Sequence, residues 1–101
     1  MTILAELRQG YEALYGDRLG KLVLFGSQAR GEARPDSDID IVLVLKEPVD
    51  GYTERKRISH FTADLCLKHD VVISCVIYAD DDYRRENSPL LLNVRDEGLL
   101  V

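Results

Sequence analysis

The chain has 101 residues, 46% of them apolar and 31% charged, with a formal net charge of −5. That length supplies one core and not two, so a single domain over residues 1–101 is expected. No apolar run reaches the ~20 residues needed to cross a bilayer, and the acidic balance excludes broad electrostatic attraction to nucleic acid. Met1-Thr2-Ile3-Leu4 runs at once into Glu6 and Arg8, unlike a secretory leader, so a soluble cytoplasmic protein is expected.

Ile3, Leu4, Leu7, Tyr11 and Leu14 recur at three-to-four spacing, which predicts an amphipathic first helix ending near Gly16. Tyr11 and Tyr15 then belong to its core or rim rather than to a base-stacking platform. Lys21 to Phe25 reads as a buried strand delivered into a Gly26-Ser27 turn. Glycine lets the backbone approach a ligand closely. Ser27 adds a hydroxyl where Gln28-Ala29-Arg30 would begin a short helix with free N–H groups facing an anion. Gly-Ser alone is most often only a turn.

The second apolar run, Ile39 to Leu45, opens with Asp38 and Asp40. Two apart on a strand, both side chains leave one face, with Cα atoms about 6.5–7 Å apart. Carboxylates so placed repel each other unless something positive lies between them. A hard cation such as Mg²⁺, held by one or two carboxylates with waters and substrate phosphates, fits that gap. The bland alternative makes Pro35-Asp36-Ser37-Asp38 a solvated loop. Against it, Ile41-Val42-Leu43-Val44-Leu45 is apolar on both faces and therefore central. Two same-face acids at the mouth of a central strand cost stability, and such local conflicts mark function.

Lys46 to Gly51 breaks the strand with proline and glycine. A helix from Tyr52 to Lys68 follows, with Ile58, Phe61, Leu65 and either Thr62 or Cys66 inward and His60 and His69 on the surface. Asp70 to Tyr78 reads as a third strand. Asp80-Asp81-Asp82 supplies the N-cap and first turn of a helix, and Asn87-Ser88-Pro89 leads into a last helix, Leu90 to Glu97, closed by Gly98. Cys66 and Cys75 show no metal-ligand spacing and read as reduced thiols. Arg30 with Arg34, Arg55-Lys56-Arg57 and Arg84-Arg85 read as solvated basic surface. The predicted fold class is α/β (α+β), a small mixed sheet with helices packed on it, in the order α-β-β-α-β-α.

Gly26-Ser27, ten residues, then Asp38-Ile39-Asp40 resembles the signature of the DNA polymerase β-like nucleotidyltransferase superfamily. Ala29-Arg30-Gly31-Glu32-Ala33-Arg34 with Ser37-Asp38 resembles its minimal nucleotidyltransferase (MNT) branch, and Asn93-Val94-Arg95-Asp96-Glu97-Gly98 resembles the end of such domains. The resemblance implies a palm-like fold and the transfer of a nucleoside monophosphate, AMP from ATP, to a hydroxyl. Asp38 and Asp40 would hold two Mg²⁺ ions, with Mn²⁺ as a substitute. Gly26 N–H and Ser27 Oγ would hold the terminal phosphates, Ser37 would be a further nucleotide-binding residue, and Arg30 would either pair with phosphate through its planar fork or cap the short helix. The chain has little material for an acceptor pocket, so the acceptor would come from another chain. The resemblance points to a helical HEPN-type toxin adenylylated on tyrosine, this chain being the antitoxin. Self-association is left open.

Two alternatives stand beside it: an NTP-binding module of a different class that neutralises its partner by binding alone, and a second enzymatic reading, nucleotidylation of a small molecule. Active superfamily members usually carry a third catalytic, metal-binding carboxylate on the neighbouring strand. Asp70 is the candidate, since Asp70-Val71-Val72 resembles the family's Asp-Leu-Val. A register slip of four residues would put Ser74 there instead, leaving two acids and favouring the binding module.

Overall fold

A computed structural model describes residues 2–29, 31 and 38–101. Helix α1 (Ile3–Tyr15) starts where the Thr2 hydroxyl accepts from the Ala5 N–H, and a 3-10 turn (Gly16–Arg18) leads from it into strand β1 (Leu19–Phe25). Strand β2 (Ile39–Leu45) follows, then helix α2 (Gly51–His69), capped by the Asp50 side chain on the Tyr52 N–H. Strand β3 (Ile73–Ala79), helices α3 (Asp80–Arg85) and α4 (Pro89–Glu97), and the two-residue strand β4 (Leu99–Leu100) complete the order.

The sheet runs β3-β2-β1-β4. β1 pairs antiparallel with β2 and β4, and β2 pairs parallel with β3. β2 is therefore central, as its two-sided apolar run requires, and alternation along it divides the core. Ile39, Ile41, Leu43 and Leu45 face Leu22 and Leu24 of β1 and the buried Leu7, Tyr11, Ile58 and Leu65 of α1 and α2. Val42 and Val44 face the other way, against Val23, Tyr83 of α3, and Leu91 and Val94 of α4. Asp38 and Asp40 continue this second set, so they open on the face covered by α3 and α4.

On the first face α1 approaches α2 closely. A Cβ on Gly10 would lie 1.9 Å from Phe61 Cζ, and the Phe61 ring stands edge-on to Tyr11 with centroids 5.6 Å apart. Tyr11 shares a 2.9 Å hydrogen bond with Thr62, and burial pushes its phenol well above the usual range. On the second face Arg95 spans the α3–α4 connection, donating to the carbonyls of Tyr83 and Arg84 and to Asn87 Oδ1.

Four local expectations change. The third strand begins at Ile73 rather than Asp70. Asp80, Asp81 and Asp82 fill the first turn of α3, but Ala79 holds the N-cap without a side-chain bond. Gly98 closes α4 with φ −67°, not in the left-handed region; its place is fixed by space, since a Cβ would stand 2.4 Å from the Val94 carbonyl oxygen and 2.5 Å from Val23 Cγ1. Leu14 is exposed and Tyr15 takes its place in the core. Among the described residues no helix is long and apolar enough to cross a membrane.

Candidate active site

β1 delivers the chain into a turn over residues 26–29, where Gly26 has φ +75°. A Cβ at Gly26 would stand 2.6 Å from Asp40 Oδ2. Glycine thus meets two demands at once, a left-handed backbone and a carboxylate passing against the main chain. The expected helix at Gln28 is a turn in the described residues, with the Gly31 N–H 3.4 Å from the Gln28 carbonyl oxygen. Ser27 is half-buried beside Gly26, and Ala29 packs against the α1–α2 side of the core.

Asp40 pairs with Phe25 of β1 on one side and with Ser74 of β3 on the other. Directly paired residues share a sheet face, so Phe25, Asp40 and Ser74 form one row with Asp38 at its mouth. Asp38 and Ser74 are exposed, while Asp40 is half-buried. Burial first, and then the Asp38 charge, push the Asp40 carboxyl above its ordinary range. No cation of the described residues offsets that shift. Among the described residues the pair is an uncompensated set of hard oxygen donors, which suits a divalent ion such as Mg²⁺.

Asp70 does not join the pair. It is the C-cap of α2, exposed, in the left-handed conformation at φ 53°, with its N–H on the Cys66 carbonyl. The ladder meets β3 later: Ile39 N–H donates to the Val72 carbonyl at 2.9 Å, and Asp40 lies level with Ser74. Among the described residues no three acidic, histidine or cysteine side chains group to hold a metal. The cause is the helix end. α2 runs on to His69, so Asp70 is used in turning the chain, and a strand starting three residues later sets the register. Arg30, Arg34 and Ser37 lie outside the described residues.

A cavity of about 400 Å³ lined by Tyr52, Arg55, Lys56 and Ser59 lies on α2, which packs on the face opposite the carboxylates. The buried Glu54 was not legible as such in the sequence. Arg18 Nη2 from the 3-10 turn and Arg57 Nε from α2 each stand 3.4 Å from its carboxylate, so a buried acid pairs with two partly exposed cations. Neither feature contributes to the aspartate row.

Residues 4–90 match the family model described as nucleotidyltransferase domain. The Methanocaldococcus jannaschii protein named "Putative protein adenylyltransferase MJ0141" is 33% identical over 78 residues, covering 77% of this chain and 78% of that protein. A toxin–antitoxin crystal structure with AMP-PNP superposes with a TM-score of 0.63 at 22% identity, over 97% of this chain and 68% of its own. The tri-AMPylated Shewanella oneidensis HEPN toxin in complex with MNT antitoxin gives a TM-score of 0.54 at 19% identity, over 98% and 71%. At these identities the structures speak for the fold, and the family match and the archaeal relative carry the assignment. With a mixed sheet that brings a Gly-Ser turn against an Asp-x-Asp pair, this chain belongs to the nucleotidyltransferase domain family.

Proposed function

We propose that the chain transfers AMP from ATP to a hydroxyl of a partner protein, with a HEPN-type helical toxin as acceptor and this chain as antitoxin. The observation that carries the proposal is the approach of Asp40 to the Gly26 turn on a face shared with Asp38. Asp38 and Asp40 hold a divalent ion, Mg²⁺ or Mn²⁺, through carboxylate oxygens. When bound, it neutralises phosphate charge and polarises the reacting phosphoryl group. Gly26 N–H and Ser27 Oγ donate to the terminal phosphates, and the missing Cβ lets phosphate oxygens reach the main chain. Arg30 and Ser37 complete the nucleotide contacts. The acceptor hydroxyl gives its proton to solvent as its oxygen bonds to the α-phosphorus, the bond to the pyrophosphate oxygen breaks, and pyrophosphate leaves with the electron pair.

The protein acceptor draws support from the adenylyltransferase name of the archaeal relative and from the AMPylated toxin in the Shewanella complex. Incubation with α-labelled ATP, Mg²⁺ and a co-encoded HEPN-type protein should label the partner on a tyrosine. Label on a free small molecule, with none on the partner, rejects the proposal. A second reading, in which the chain binds NTP and neutralises its partner without transfer, gains from Ser74 standing where a third carboxylate would be. It predicts an unlabelled partner that is nevertheless inhibited.

A further inference from the structure

We propose that this site holds one divalent cation, the one that arrives with the nucleotide, and that Ser74 is the residue that leaves no place for a second. The inference rests on the nucleotide–metal reading above and departs from the two ions that the family resemblance implies.

Parallel pairing puts Ser74 level with Asp40, and the following pairs, Val42 with Val76 and Val44 with Tyr78, continue the same face. Neighbouring strands lie about 4.8 Å apart, so position 74 is where β3 would present a ligand to ions beside Asp40. Two divalent ions about 3.5–4 Å apart need bridging negative charge between them. Asp38 and Asp40 supply two negative charges, and a serine hydroxyl supplies none. As a neutral oxygen it is at most a weak ligand to a hard cation.

No other acid of the described residues replaces it. Asp70 is committed to the left-handed cap of α2. Asp80, Asp81 and Asp82 follow Ala79, the far end of β3 from Ser74, and Asp80 and Asp81 pair with Arg84. Two carboxylates with the phosphates of one nucleotide make a full donor set for one hard ion. They do not make one for two.

Manganese provides the readout independently of transfer. The purified chain is saturated with a non-hydrolysable ATP analogue and titrated with Mn²⁺, and the retained ions are counted and examined by electron paramagnetic resonance. The expected result is one Mn²⁺ per chain, with the spectrum of an isolated ion. Ser74→Asp should retain two, a twofold rise, with the broadened spectrum of a spin-coupled close pair. Ser74→Ala should stay at one.

Two ions on the wild-type chain overturn the inference and leave the nucleotide–metal reading standing. Neither ion nor analogue retained by the wild type overturns both. A folded Ser74→Asp that still holds one ion also overturns it. Should that variant fail to fold, Ser74→Glu is read in its place, and the wild-type count decides without either.

Discussion

Gly26 and Asp40 are in mutual contact range across the β1–β2 pair: a single methyl on Gly26 would lie 2.6 Å from Asp40 Oδ2. Turn and carboxylate are therefore one unit, and a change at either is felt at the other. Gly26→Ala must adopt φ +75° with a side chain and push Asp40 aside. The backbone term alone costs about 1–2 kcal/mol. Urea unfolding should report a loss of that order, and calorimetry should show binding of ATP with Mg²⁺ weakened by more than tenfold. Native affinity in a folded Gly26→Ala would separate the turn from the site.

Removing the charges should have the opposite effect on stability. Asp40 is half-buried beside a like charge, so its carboxyl titrates above its ordinary value of 3.8. Folding therefore favours its protonated form. The stability this contributes is fully present below about pH 3.8 and is lost as pH rises through the folded-state value. Asp40→Asn should remove this term and leave the metal-free protein as stable as the wild type at neutral pH, or more so. Binding of ATP with metal should disappear. Thermal scans at several pH values, with and without Mg²⁺ and nucleotide, check both halves, since bound ligand raises the midpoint only of a protein that binds it.

A carboxylate shifted in the opposite direction joins the two helices on the other face. Glu6 of α1 accepts from Lys68 and His69 in the last turn of α2, and these bonds hold its carboxyl below the ordinary 4.5. Its contribution is present above that value and is lost as pH falls through the lower folded-state one. Glu6→Gln should therefore destabilise at pH 7, and the gap should narrow at acid pH as the wild type protonates the same group. Unfolding curves of both proteins at neutral and acid pH decide it, and a constant gap would assign Glu6 a packing role instead.

The close approach of α1 to α2 gives a packing test. Alanine suits a helix better than glycine by about 1 kcal/mol, but a Cβ at Gly10 would meet the Phe61 ring at 1.9 Å. That ring is already set against Tyr11. Gly10→Ala should lose about 1–3 kcal/mol through overpacking. In a Phe61→Leu background the same change should be neutral or stabilising. Additive effects in that double-mutant cycle would mean that the ring moves freely.

Much of this was legible in the chain because the signals were local. β2 runs over Ile39–Leu45 as the apolar stretch indicates, and the Gly26 turn faces the Asp pair because two adjacent antiparallel strands leave little other choice. The register of β3 was less legible. Asp70-Val71-Val72 has strand composition, yet helix α2 absorbs Asp70 as its cap, and the Val71 N–H also returns to the Cys66 carbonyl. A left-handed aspartate has no sequence signal as strong as glycine's. The ladder that sets Ser74 beside Asp40 is a tertiary fact, and only the possibility of a slip could be read beforehand. Nothing local marks Glu54 as buried, because its partner Arg18 lies 36 residues earlier in the chain, before β1. β4, two residues long, is below what periodicity detects.

The division of the core by β2 also sets an order of local opening. One layer, built on α1 and α2, seals a broad set of large aliphatic and aromatic side chains. The other rests on the six residues of α3, the nine of α4 and a smaller apolar set. Regions with less buried apolar surface open at lower free energy. Amide hydrogen exchange should therefore release α3 and α4 well before the first helical layer. Asp38 and Asp40 stand on the side released first, so the candidate site shares its sheet face with the looser layer and is backed by the more rigid one.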